Sequence, residues 1–205
     1  MESGMPSAIG RDDAIGSSPS RTVILVTGLP AAGKTTVSRA LSEALTLPLL
    51  SKDAIKESLF DVLGVRDREW SLRLGAAANS VLWALLSHCP EGAIVDIWLD
   101  PIRDVGLSQQ GLAQAGVKTA FEIICDCPAE VAAQRYASRV RHPGHLPPDR
   151  ATLQRIHDSS VLMTPLEIGP TKRIDTTRPV GIPALVEWLG SGGVENSYAD
   201  EPSGT

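Results

Sequence analysis

The chain has 205 residues, of which 42% are hydrophobic and 21% charged, a globular composition large enough for one domain with a real core. A formal net charge of −5 offers no global basic excess for nucleic acid or an anionic membrane, and neither is expected as a partner. No apolar run reaches the ~18 residues of a membrane span, and Cys89, Cys125 and Cys127 fit neither a disulfide framework nor a zinc pattern, so a reducing cytoplasm is expected.

Residues 1–20 are rich in Gly, Ser, Pro and Asp and lack the apolar core of a signal peptide; they read as a disordered N-terminal tail. TVILVTG (22–28) is a continuous β-branched run, as in a buried parallel strand. A helix is expected over 33–46, with Val37, Ala40, Leu41, Ala44 and Leu45 on one face. A short strand (48–51) follows, and Asp53 reads as the N-cap of the next helix. The spacing of Leu74, Ala78, Val81, Leu82, Leu85 and Leu86 predicts a longer helix over 67–88. AIVDIWL (93–99) is a third strand, and Asp100-Pro101 caps a helix that Gly116 ends. TAFEIIC (119–125) is a fourth strand. Pro128 opens a helix running to about Val140, RHPGHLPP (141–148) is a loop, and Asp149 starts another helix. KRIDT (172–176) is a fifth strand, 183–189 a last short helix, and 190–205 a disordered C-terminal tail. Strands alternating with helices predict an α/β fold with a parallel sheet covered on both faces.

GLPAAGKTT (28–36) lies between the first strand and the first helix and is a complete phosphate-binding loop pattern in its required context. Glycine permits the tight turn and lets backbone N–H groups of Gly28, Leu29, Pro30's neighbours, Ala31, Ala32 and Gly33 converge on phosphate oxygens. The helix N-terminus adds its dipole. Lys34 places a point charge on the β and γ phosphates, Thr35 offers a hydroxyl to Mg²⁺, and Thr36 and Pro30 complete the loop. ATP or GTP with Mg²⁺ is the expected ligand.

The other candidate residues ask what is done with that nucleotide. Asp96, at the end of a buried strand, can orient the metal shell or the substrate; Ile97 stands where motor ATPases carry a second acid. Asp53 lies just past the second strand, at the carboxyl end of the sheet, where it can take a proton from a substrate hydroxyl. Arg135 and Arg139 are four apart on one helix, and Arg141, His142 and His145 follow on a Pro/Gly-rich loop. Together (about 130–150) they read as a basic lid that neutralises transition-state charge.

GLPAAGKTT, SKDAIKESLFD, AIVDIW and the R-x3-R-x-RHPGH stretch together resemble the P-loop small-molecule kinase-like proteins that often carry the label AAA-type ATPase. They are similar to chloramphenicol phosphotransferase, gluconate kinase, the zeta toxins and polynucleotide kinase. The resemblance covers about residues 21–189. It implies a three-layer α/β/α fold of the nucleoside-monophosphate-kinase type, with sheet order 2-3-1-4-5 and a helical lid. It implies that Asp53 is the catalytic base, that Arg135 and Arg139 are lid arginines, and that Thr176, Thr177, Arg178 and Pro179 form the adenine loop. Residues around 60–105, which form the acceptor pocket, depart from chloramphenicol phosphotransferase, so the resemblance implies the reaction and leaves the acceptor open.

The acceptor region is expected from residues 54–86 and the loop after the third strand. It holds Lys56, Arg66, Arg68, Trp70, Arg73, Asn79, Trp83, Trp98 and Arg103. Lys56, Trp98, Arg103, His142 and His145 are the expected substrate contacts, with Trp98 stacking on a ring and Trp70 and Trp83 assigned to the core or an interface. A phosphotransferase acting on a hydroxyl of a nucleoside, sugar or antibiotic, working as a monomer or homodimer, is the reading; antibiotic resistance is its most specific form. Its rivals are a nucleotide-hydrolysing regulatory module and a toxin kinase acting on nucleotide sugars.

Overall fold

The computed structural model describes residues 21–100, 104–145 and 147–194. Five strands, β1 (Thr22–Gly28), β2 (Leu49–Ser51), β3 (Gly92–Asp96), β4 (Phe121–Asp126) and β5 (Thr171–Asp175), form one sheet in the order β2-β3-β1-β4-β5. Every pairing is parallel, as the expected topology requires. The connections are α1 (Lys34–Leu45), α2 (Lys52–Leu63), α3 (Arg68–Ser87), α4 (Val105–Gln114), α5 (Ala129–Ser138) and α6 (Arg150–Leu162), with α7 (Ile182–Gly190) closing the described chain.

The apolar run of β1 is continuous because both faces of the strand are covered. Ile24 and Val26 point into a core with Val37 and Leu41 of α1, Tyr136 of α5, Ile156 of α6 and Trp188 of α7. Val23 and Leu25 point the other way, onto Leu82, Trp83 and Leu86 of α3 and Leu112 of α4. Ile24 and Leu25 are both 0% exposed, and each such burial contributes about 2 kcal/mol. This packing fixes the carboxyl ends of the strands, where Gly28, Ser51, Asp96 and Asp126 emerge.

Three local expectations need correction. Asp53 does not cap α2: β2 runs straight into the helix, so Ser51, the last strand residue, accepts from the Ala54 N–H at 3.4 Å, leaving the Asp53 carboxylate for other work. The third strand stops at Asp96 and does not reach 99, which frees Trp98 to turn out of the sheet. The helix expected to reach Val140 ends at Ser138; Arg139 is extended (φ −81°, ψ 129°), so Arg135 and Arg139 do not share a helix face. The expected cap pair Asp100-Pro101 lies partly outside the described residues. Asp104 occupies the position before α4, and its Oδ2 accepts from the Asp100 N–H at 3.1 Å.

Candidate active site

The loop from Gly28 to Gly33 folds as its glycines demand. Gly28 has φ 138°, and a Cβ there would sit 2.4 Å from the Cys125 carbonyl oxygen of the neighbouring strand. Ala31 (φ 64°) and Gly33 (φ 93°) are also left-handed, which turns successive N–H groups toward one side. The Lys34 side chain is buried, and its ammonium donates to the carbonyls of Gly28 (3.1 Å) and Leu29 (2.8 Å). Burial pulls the Lys34 pKa down, opposed by the charges of Asp96 and Asp53. Asp96, also buried, accepts from Thr35 Oγ1 at 2.8 Å and lies 3.5 Å from Ser51 Oγ. Burial pushes its pKa up, and Lys34 opposes that. Each charge thus partly offsets the desolvation of the other.

Beyond the loop a cavity of about 610 Å³ is lined by Gly33, Thr36, Arg39, Arg135, Arg139 and Val180, among others. Ala31, Lys34, Thr35, Arg178 and Pro179 also border it. Arg135 donates to the Thr176 carbonyl at 3.1 Å, tying α5 to the segment after β5. Leu29 and Ala32 belong to the core and do not line the cavity. Thr177 does not line it. Its N–H and Oγ1 both donate to Asp175 Oδ1 (2.8 and 2.6 Å), and it borders a separate cavity beside Asp126. These bonds hold the Asp175 carboxyl below its usual range.

Pro30, on the far side of the loop, borders a second cavity of about 350 Å³. Asp53, Lys56, Asn79, Trp98, Arg141 and Arg155 line it with Tyr136 and His145. Arg141 lies 3.9 Å from Asp53 Oδ2 and 4.5 Å above the Tyr136 ring. The Trp98 ring carries the Arg155 guanidinium at 5.3 Å, so the aromatic face expected to stack on a substrate already holds a cation. Lys56 Nζ donates to Ser71 Oγ at 2.9 Å, and Ser71 in turn donates to the Gly144 carbonyl at 3.3 Å.

The two histidines fasten the 141–148 loop to α2. His145 Nε2 meets Glu57 at 2.7 Å and His142 Nε2 meets Asp61 at 3.0 Å. Burial, followed by the Arg141 charge, lowers the His145 pKa, against the pull of Glu57. His145 borders the cavity, whereas the His142 ring stacks on Phe60 at 5.8 Å and does not reach it. Arg66, Trp70 and Arg73 form their own cluster, with Arg66 4.4 Å and Arg73 5.8 Å from the Trp70 ring, and Trp83 is core; none of the four lines the cavity. Arg103 lies outside the described residues.

A family model described as an AAA domain matches residues 23–161. The chain belongs to this family of P-loop small-molecule kinase-like proteins. Among solved structures, a putative kinase from Chloroflexus aurantiacus j-10-fl is 36% identical, with TM-score 0.75 over 84% of this chain and 98% of that one. Shikimate kinase from Acinetobacter baumannii, solved with shikimate, is 18% identical (TM-score 0.58; 86% of this chain, 97% of that one). A gluconokinase from Sinorhizobium meliloti 1021 is 20% identical (TM-score 0.50; 85% and 91%). At these identities the last two show the fold alone. No curated protein matches the chain.

The oxygen donors at the loop suit Mg²⁺. Asp96 Oδ2 lies 2.8 Å from Thr35 Oγ1 and 3.5 Å from Ser51 Oγ, all hard oxygen donors, and a partial protein shell is how Mg²⁺ is usually held beside phosphates. Among the residues that the sequence reading missed are Arg39 and Val180 at the larger cavity and Lys52, Asp104, Tyr136, Thr152 and Arg155 at the smaller. An arginine four residues after Thr35, on the exposed side of α1, was the one available signal for Arg39.

Proposed function

We propose that the protein transfers the γ-phosphoryl group of ATP or GTP to a hydroxyl of a small molecule. The observation that carries this reading is the position of Asp53. It lines the smaller cavity, and its charge acts on Lys34 of the phosphate loop and on Asp96 at the end of β3. A carboxylate at the junction of a nucleotide site and a second pocket is where a kinase needs its base.

In this reading Lys34 leaves the Gly28 and Leu29 carbonyls for the β and γ phosphates, and Arg135 and Arg139 balance charge from the opposite wall. Thr35 and Asp96 would hold Mg²⁺, which supplies charge neutralisation on the phosphate oxygens when bound. Asp53 takes the proton of the acceptor hydroxyl as its oxygen bonds to the γ-phosphorus. The bond from that phosphorus to the bridging oxygen breaks, and the nucleoside diphosphate departs with the electron pair. Arg141, beside Asp53, stabilises charge on the transferring group. Most of the acceleration is positioning and charge balance.

The test is a mass-spectrometric screen of nucleosides, sugars and hydroxylated antibiotics with Mg-ATP or Mg-GTP. A phosphorylated product that disappears in Asp53→Asn is expected. Nucleotide hydrolysis without any phosphorylated product contradicts the reading.

A further inference from the structure

The smaller cavity has an excess of positive charge. Among the described residues, Lys52, Lys56, Arg68, Arg141 and Arg155 line it against Asp53 and Asp104, five cations to two carboxylates. Both carboxylates are engaged: Asp53 faces Arg141, and the buried Asp104 accepts from the Asp100 N–H. Asp149 acts on Arg68 and Arg155 from outside, but it does not line the cavity, and its Oδ1 caps α6 by accepting the Thr152 N–H at 2.8 Å.

Two residues that line the same cavity carry buried polar atoms without a partner among the described residues, Asn79 Oδ1 and Trp98 Nε1. Buried polar atoms are almost always paired, so an acceptor and a donor left open beside a cavity point to a polar ligand. Trp98 Nε1 belongs to the ring on which Arg155 lies, so an unpaired N–H and a guanidinium share one corner of the pocket. A guanidinium fork beside an N–H donor matches a carboxylate or a phosphate. A volume of about 350 Å³ limits the ligand to a small molecule.

We propose that the acceptor is a small hydroxylated acid. Besides the hydroxyl presented to Asp53 it carries a carboxylate or a phosphate monoester, held by Arg155 and Arg68 with Trp98 Nε1 donating to it. Asn79 Oδ1 accepts from a neighbouring hydroxyl of the same molecule. This inference rests on the phosphotransfer reading and narrows its acceptor.

The test is calorimetry on the full chain, saturated with a non-hydrolysable ATP analogue and Mg²⁺. The ligands are matched pairs: gluconate against glucitol, glycerate against glycerol, and glucose 6-phosphate against glucose. At least one acid is expected to bind tenfold or more tightly than its neutral partner, by the order of one charge-assisted contact. Arg155→Met and Arg68→Met should each weaken that acid about tenfold and leave the nucleotide affinity unchanged, while Arg155→Lys recovers part of the loss. A preference for the carboxylates or for the phosphate ester supports the proposal and identifies the anion. Equal binding of acids and neutral partners, no binding by any acid, or an unchanged acid affinity in both methionine variants overturns it. Turnover with Mg-ATP separates the two readings. Phosphorylation of neutral polyols alone overturns the acid and keeps phosphotransfer, whereas an acid bound through Arg155 but never phosphorylated keeps the anion site and overturns phosphotransfer.

Discussion

The two cavities that flank the phosphate loop are built in opposite ways. The larger is centred on one contiguous stretch, the end of the phosphate loop and the first turns of α1, faced by Arg135, Arg139, Thr176 and Arg178 to Val180. The smaller gathers side chains from α2, α3, the segment after β3, α5, the 141–148 loop and α6. A backbone-built site needs glycine, lysine and threonine at fixed spacing and therefore leaves a motif. A side-chain-built site needs only that distant residues meet, and any one of them looks ordinary where it stands. In the proposed reading the first cavity serves the nucleotide and the second the acceptor.

Substitutions on each side should separate the two. The largest effect is expected for Lys34→Met. Turnover should fall on the order of 10³-fold and nucleotide affinity should weaken, because the phosphates lose their point charge. The thermal midpoint of the nucleotide-free protein should fall, since the Gly28 and Leu29 carbonyls lose their donor and the buried Asp96 loses the charge that offsets its desolvation. Turnover within tenfold of the parent would show that the loop lysine is not part of the chemistry. Next in size, Asp53→Asn should lower kcat about 10²–10⁴-fold, the usual worth of a general base. Because Asp53 lines the acceptor cavity and not the larger one, nucleotide Kd measured by titration should change less than about twofold. A matched loss of nucleotide affinity would merge the two halves.

Gly144→Val tests the acceptor side without touching a candidate catalytic group. A Cβ at Gly144 would sit 2.2 Å from the Phe60 ring, so the 141–148 loop must move, at a cost of about 1–3 kcal/mol in denaturant melts. KM for the acceptor should rise while nucleotide Kd stays put.

The smallest effect concerns pH. The His145 pKa is lowered in the fold, chiefly by burial, from an ordinary 6.5. Between those two values the unfolded chain binds more protons than the folded one, so stability rises with pH across that window. The contribution is fully present above 6.5 and is lost as pH falls toward the lowered value. It should amount to no more than about 1 kcal/mol between about pH 5.5 and pH 7.5 in urea melts, and His145→Gln should remove that part of the slope. An unchanged slope in the variant would show that His145 does not titrate differently in the fold.

Much of this architecture was legible in the residues. The run TVILVTG is apolar throughout because helices cover both faces of β1, and that alone predicts a parallel sheet with its ligand at the strand ends. Asp96 could be placed because its strand is short and buried, so its carboxylate has to emerge beside Thr35. Asp53 looked like a helix cap because Asp caps well; only the direct passage from β2 into α2 gives that task to Ser51. His142 and His145 look alike on a loop, yet one packs on Phe60 and the other borders the cavity, a difference set by the turn at Gly144. Arg155 gave no signal at all. In sequence it matches the other arginine of α6, Arg150, and only the docking of that helix lays it over Trp98.

The most direct measurement uses ATP labelled with ¹⁸O on the γ-phosphate, incubated with the protein, Mg²⁺ and a mixed pool of small hydroxylated acids and neutral polyols. The label should appear in an organic phosphate ester, with little in inorganic phosphate, and Asp53→Asn should suppress that ester. Label found only in inorganic phosphate would mean that water is the acceptor, and the protein would then be a hydrolase.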